Sequence, residues 1–242
     1  MVERLWTARE RREAKVGLSV DRIVEAAVAL ADEDGLAAVS MARVAERLGF
    51  TTMALYRHVQ SKDELLALMA DGVTEPPGSL DEPPDDWREG LQRWSRALRD
   101  GLLRHPWYLE LPIPGLRMTP NQLAWLDRGL RALARTQLAE DEKAHVVLLL
   151  NGYVFWDVRL TSDLAGSDPE TDAENARLIS EHVDAERFPA LRPALDAGIF
   201  EDGDDPEEHF RFGLERILDG VDQLVTARAA RSPARSRTRG RT

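Results

Sequence analysis

Between Leu48 and Leu66 the chain reads LGFTTMALYRHVQSKDELL, which gathers Thr51, Thr52, Tyr56, Arg57, His58 and Lys62 within a few helical turns. Hydroxyls, a phenol, an imidazole and two cations at this spacing suit contacts to a nucleic acid. Thr51 and Thr52 offer hydroxyls to bases or phosphates, and Met53 and Ala54 offer apolar contact to a thymine methyl. Tyr56, His58 and Lys62 suit phosphate contacts, which set register rather than sequence. Arg57 lies at the edge of this face and adds a further phosphate contact. The ordinary alternative is a half-buried tyrosine beside a solvated basic face; the agreement of several local signals favours the binding reading.

Chemistry of the catalytic kind has little to draw on. The five histidines, His58, His105, His145, His182 and His209, are widely separated, with no zinc-protease or nucleophile-elbow spacing and no glycine-rich phosphate loop. With zero cysteines there is no disulfide and no thiolate metal site. No metal or cofactor is expected. A helical enzyme built by clustering through the fold is the weakest of the competing readings.

The net charge of −11 opposes nucleic-acid binding, but its distribution does not. The stretch from Ser40 to Lys62 carries Arg43, Arg47, Arg57 and Lys62 against Glu46 alone, while the acidity sits mainly between Asp63 and Glu215. A basic patch binds phosphate while an acidic remainder limits non-specific attachment. The 43% hydrophobic and 31% charged composition over 242 residues is that of a globular protein with an ample core. The charged N-terminus lacks the apolar stretch of a signal peptide, and no apolar run is long enough to span a bilayer, so a cytoplasmic location without membrane contact is expected.

The elements that must position these residues are helices almost throughout. Ile23, Ala26, Ala27, Leu30 and Ala31 form one buried face, with Ser19 as N-cap, Asp21 in the first turn and Gly35 as the stop. A short helix over Met41–Leu48 turns Val44, Ala45 and Leu48 inward and ends at Gly49. A second covers Thr52–His58 and is held down by Leu55 and Val59. A fourth helix starts at Ser61, where SKDE reads as a capping box with Glu64 reaching back. Two short helices about a glycine turn, preceded by a longer one, make a helix-turn-helix unit, whose second helix presents its N-terminal residues to the major groove.

Four prolines and a glycine in EPPGSLDEPPDD then interrupt the helix. Beyond them Trp87, Leu91, Trp94, Leu98 and Leu102 mark a long amphipathic helix. TPNQ at Thr119 restarts one with Pro120 at its first position. EKAHVVLLLNGYVFWDVRL is apolar on almost all sides and predicts a buried helix. AGSDPETDAEN predicts a mobile loop. Asp205 and Pro206 open a last helix with a seam of Phe210, Leu214, Ile217, Val221 and Leu224, and no strand is expected. The resulting organisation is a basic arm over 1–18, a helix-turn-helix domain over 19–75, a proline-rich junction over 76–86, a helical regulatory and dimerisation domain over 87–227, and a disordered arginine-rich tail over 228–242.

The stretch GLAAVSMARVAERLGFTTMALYRHVQSKDELLALMADGV resembles the DNA-binding domain of the tetracycline-repressor (TetR) family of bacterial transcription regulators. The AxRLG turn entry, the LYxHV core and the SKDELL helix entry carry the likeness across about Leu18 to Val73. RHPW and TPNQLAWLDRGLRAL carry a looser likeness to the C-terminal domain of the tetracycline-repressor subgroup. The resemblance implies an all-α protein that binds a palindromic operator as a homodimer and leaves the DNA when a small effector binds. The positions it carries over to DNA are Thr51, Thr52, Met53, Tyr56, His58 and Lys62. Ala42 stands where the family's namesake has a base-reading arginine, a departure that leaves the operator sequence open but not the DNA binding. No cluster matches that namesake's magnesium-linked site. An activator, or a regulator without a ligand, remains the alternative.

Partners are thus double-stranded DNA, a second copy of the chain and an apolar or polycyclic effector, which the abundance of tryptophan in the C-terminal half suits. Effector contacts are expected among Trp94, Leu98, His105, Trp107, Met118, Trp125, Asn151, Phe155 and Trp156. The dimer interface is expected on the last helix, at Phe210, Gly213, Leu214, Ile217, Gly220, Val221 and Leu224, packed with the Val146–Val158 helix into a four-helix bundle.

Overall fold

The computed structural model describes residues 17–82, 84–111, 118–198 and 205–231. It is all helical, with no strand among the described residues. Helix α1 (Val20–Asp34), α2 (Met41–Leu48), α3 (Thr52–Tyr56) and α4 (Lys62–Val73) form an N-terminal unit. A larger body contains α5 (Trp87–Arg104), α6 (Pro120–Ala132), α7 (Glu140–Ala165), α8 (Pro169–His182), α9 (Leu191–Asp196) and α10 (Pro206–Arg231).

Local chemistry sets the helix ends. The Ser19, Ser40 and Thr51 side chains each accept a backbone N–H three residues on, as N-caps do. Thr119 and Gln122 complete a reciprocal capping box. At α4, Ser61 accepts from the Glu64 N–H, but the Glu64 carboxylate reaches one residue further back, to the Gln60 N–H at 2.6 Å. Helix α3 is shorter than expected. Arg57 is its C-cap, and His58 lies in the turn that follows.

The stretch AGSDPETDAEN, expected as a loop, is largely helix. Asp168 caps α8 by accepting from the Thr171 N–H, and Pro169 sits at the first helical position, where its missing N–H costs nothing. The expected disordered tail also begins too early. Helix α10 continues to Arg231, and Arg228 is held by Glu142 of α7 at 2.9 Å. Residues 232–242 of that tail, like residues 1–16 of the arm, lie outside the described residues. The proline-rich junction is tied down by Asp81 to Arg128 at 2.5 Å and Asp85 to Arg135 at 2.7 Å.

The body's core runs through Leu91, Trp94, Leu98, Val147, Leu150, Val154, Val158, Phe210, Leu214 and Leu218. One ion pair is buried within it. Arg99 of α5 donates to Asp157 of α7 at 2.6 Å, and both side chains are less than one-tenth exposed. The same guanidinium donates to Glu207 and the Pro206 carbonyl and lies 4.7 Å from the Phe210 ring centre, so it pins the start of α10. Tyr153 stacks on Phe210 and donates to its carbonyl at 2.9 Å. A Cβ at Gly213 would lie 2.3 Å from the Tyr153 hydroxyl, so any larger residue there would force Tyr153 to shift.

Helix α7 is not buried on all sides within the chain. Leu150, Val154 and Val158 face the core, whereas Leu148, Leu149, Trp156, Leu160 and Leu164 are exposed. Asp157→Ala leaves Arg99 bonded to Glu207, whereas removing Arg99 takes the ion-pair partner from the buried Asp157 carboxylate. Arg99→Met is therefore expected to lower unfolding stability by about 3–5 kcal/mol, and Arg99→Met/Asp157→Leu to recover most of the loss. Urea unfolding at fixed protein concentration checks this; a loss under about 1 kcal/mol for Arg99→Met would contradict it.

Candidate functional site

Helix α3 is anchored by a few residues and otherwise displayed. Leu55 and Val59 are fully buried with Val39, Val44, Ala45 and Leu65. Gly49 takes φ 72°, a left-handed conformation that suits glycine, and the Phe50 N–H returns to the Ala45 carbonyl at 2.9 Å. This turn sends the chain from α2 into α3. On the outer side Met53 is 72% exposed and Tyr56 44%, Thr51, Arg57 and Lys62 are exposed, and Thr52, Ala54 and His58 are half-buried. Seven of the eight residues expected to meet DNA lie on α3 and its flanking turns, and the eighth, Lys62, is the first residue of α4. The Thr51 hydroxyl oxygen is engaged as the N-cap, leaving its hydrogen to donate.

The other basic residues of the stretch are engaged within the unit. Arg47 makes a two-pronged pair with Glu33 at 2.5 and 2.7 Å, and Arg43 pairs with Asp34 at 2.6 Å. The Arg47 hydrogen bond holds the Glu33 carboxyl below the usual carboxylate range.

Behind this surface lies the junction with the body. On one side Asp71 of α4 accepts from the Asn121 N–H at 2.9 Å, and the Asn121 amide donates to the Asp71 carbonyl at 2.7 Å. Trp125 Nε1 donates to the Thr74 carbonyl at 2.8 Å. On the other side Asp32 of α1 meets His105 and Trp107, which follow α5.

A cavity of about 10 Å³ lies between these contacts, lined by Val73, Thr74, Leu98, Gly101, Leu102, His105, Tyr108 and Trp125. That is room for about one water. Burial pushes the Tyr108 phenol up, so it stays protonated at neutral pH while accepting from Gln122 at 2.8 Å.

Of the expected effector contacts, Leu98, His105 and Trp125 line this cavity. The others do not. Trp94 is sealed in the core, edge-on to Trp125 and donating to its carbonyl at 2.9 Å. Trp107 is turned to Asp32, and Phe155 packs behind Tyr108. Met118 and Asn151 are half-buried outside the lining, and Trp156 is 65% exposed on the bare face of α7. Val73, Thr74, Gly101, Leu102 and Tyr108 were not expected. Gly101 and Leu102 follow Leu98 by about one turn, which is the one sequence signal that pointed to them.

The expected dimer residues divide between two environments. Phe210 and Leu214 are buried in the chain's own core, and Gly213 faces Tyr153 of the same chain. Ile217, Gly220, Val221 and Leu224 line an open groove with His145 and Leu149 of α7. Among the described residues no group of side chains could hold a metal ion. No helix there is long and apolar enough to cross a membrane.

Residues 23–69 match the model described as bacterial regulatory proteins, tetR family. Residues 80–225 match the tetracyclin repressor-like C-terminal domain. The chain belongs to the TetR family of transcriptional regulators. It is 35% identical to the HTH-type transcriptional repressor DrrR1 of Streptomyces coeruleorubidus, over 96% of this chain and 88% of that one. It is 28% identical to the class A tetracycline repressor of Escherichia coli, over 84% and 90% of the two chains. The fold matches the TetR-family protein ActR of Streptomyces coelicolor, solved with actinorhodin, with a TM-score of 0.73 and 29% identity over 87% of this chain and 98% of that one. TetR-family proteins are regulators rather than enzymes, in keeping with the scattered histidines.

In this TetR-family chain, burial separates the residues that hold α3 from those it displays. Leu55→Ala is expected to cost about 2–5 kcal/mol of unfolding stability, and Met53→Ala to leave it within about 0.5 kcal/mol. Comparable losses in thermal or urea unfolding would contradict this division.

Proposed function

We propose that the protein is a ligand-responsive repressor that binds a palindromic operator as a homodimer and is released by a small apolar or polycyclic effector. The observation that carries the reading is the position of the cavity. Its walls include α4 residues of the helix-turn-helix unit and α5 and α6 residues of the body, so a ligand that enlarges it bears on both. A ligand that prefers the moved arrangement shifts the population away from the form that fits DNA. The similarity to the repressor DrrR1 and to ActR, solved in complex with actinorhodin, supports the same reading.

Thr51, Thr52, Met53 and Ala54 are the residues for base edges, and Tyr56, Arg57, His58 and Lys62 those for phosphates. One α3 reaches only a few base pairs, so a two-fold pair of them is needed, with half-sites about one helical turn apart. The surface for pairing combines the exposed Leu149, Trp156 and Leu160 of α7 and Phe212 of α10 with the groove residues Ile217, Gly220 and Leu224 of α10. Exposed apolar groups gathered on two long helices suit an interaction surface.

Three outcomes are expected. Lys62→Ala lowers the slope of log affinity against log salt by about 1 and leaves folding unchanged; an unchanged slope removes Lys62 from the interface. Trp156→Glu converts the dimer to monomer in light scattering and abolishes operator binding with it; a dimeric variant would move the interface elsewhere. Footprinting upstream of the protein's own gene and its neighbour shows protection at moderate salt that is lost on adding effector, with actinorhodin as the first probe. The absence of protection there would count against a local repressor.

A further inference from the structure

Asp32 lies in the last turn of α1, on the helix-turn-helix unit, and it is joined to the body through one oxygen. Its Oδ1 accepts from Trp107 Nε1 at 2.6 Å and lies 2.8 Å from His105 Nδ1. The two ring centres are 6.0 Å apart, so imidazole and indole converge on that oxygen. His105 is the C-cap of α5, with φ −135° and ψ 64°, and it is also a wall of the cavity. A single carboxylate therefore connects α1 to a residue in the wall of the cavity.

The other polar walls are tied differently. Thr74 and Trp125 hold each other across the α4–α6 contact, and the Tyr108 hydroxyl is held by Gln122 of α6. Those bonds stay within α4 and the body. The His105 contact alone among these ties the cavity wall to α1. The Asp32 side chain is about one-third exposed, and charge-assisted bonds at such a site are strong enough to set an orientation and weak enough to exchange with water.

We propose that Asp32 is a positioning residue for DNA binding. Its bonds to His105 and Trp107 hold α1 in the operator-competent orientation while the cavity is closed, and displacement of His105 releases it. This rests on the ligand-responsive reading. It adds a second line of coupling, through α1, to the one through α4. Coupling between two sites requires an element with two arrangements that both sites bias, and here the element is the latched or unlatched α1 end. Removing the latch reproduces part of the effector's action with no effector present.

The test uses the full-length protein and a duplex selected by the wild-type chain from a random pool. Asp32→Ala and Trp107→Phe are each expected to weaken binding to that duplex by about tenfold. The double variant is expected to bind no more weakly than Asp32→Ala, because both changes break the same latch. In spectra of labelled tryptophan indoles, the Trp107 N–H signal should move upfield in Asp32→Ala. A purely structural role would instead lower the melting temperature and leave the affinity of the folded fraction unchanged. Binding of either folded variant within twofold of wild type overturns the proposal, as does full multiplication of the two effects. If the wild-type chain selects no duplex, the operator-binding reading itself fails, and the latch falls with it. If Asp32→Ala does not fold, Trp107→Phe carries the test.

Discussion

A helix of five residues cannot hold itself. Nucleating a turn costs more than one turn of hydrogen bonds returns, so α3 exists because Leu55 and Val59 are buried against its neighbours. That constraint propagates outward. Burying Leu55 requires α1, α2 and α4 to surround it, and the sharp return into α3 requires a left-handed residue at Gly49. A unit of about fifty residues has a small core of its own, so its orientation depends on what it is fastened to. Here the fastenings are Asp32 at one end and Asp71, Thr74 and their partners at the other. The cavity sits between them, which is what the proposed coupling of a ligand site to a DNA-reading helix requires.

Charge follows the same economy of parts. The stretch that looks basic in the sequence owes two of its four cations to α2, and both are paired to acids of α1. Exposed pairs of this kind contribute little to stability. They do engage Arg43 and Arg47 within the unit. Under the proposed reading the phosphate contacts fall to Tyr56, Arg57, His58 and Lys62, a small set that suits a chain of net charge −11.

Much of the fold was legible because its signals are local. Ser19, Ser61, Thr119, Gly35 and Gly49 act within three or four residues of themselves, and each marks a helix end where expected. The Asp-Pro pair that opens α10 opens α8 as well, at Asp168 and Pro169, but there the surrounding Ser, Gly and Thr read as a loop. What was not legible is what joins distant residues. Asp157 sits inside an apolar run and its partner Arg99 lies 58 residues away, so nothing near either predicts the pair. A heptad-like seam likewise says that a helix has an apolar face without saying what covers it. On α10 the seam of Phe210 and Leu214 faces the chain's own core, and on α7 the apolar excess is divided between core and surface. Aromatic abundance misled in the same way, since Trp94, Trp107 and Trp156 serve the core, the latch and the bare face, and Trp125 alone of these four lines the cavity.

The central claim is that fastening to the body fixes the two recognition helices of the dimer at the spacing an operator needs. The absence of cysteine in the native chain makes a direct measurement simple. A spin label at Gln60→Cys, an exposed position just after α3, reports the distance between the two units. The account predicts one narrow distance distribution without DNA, unchanged when operator duplex is added and shifted or broadened by effector. A broad distribution in the DNA-free dimer that narrows only on the operator would contradict it, because the spacing would then be imposed by the DNA.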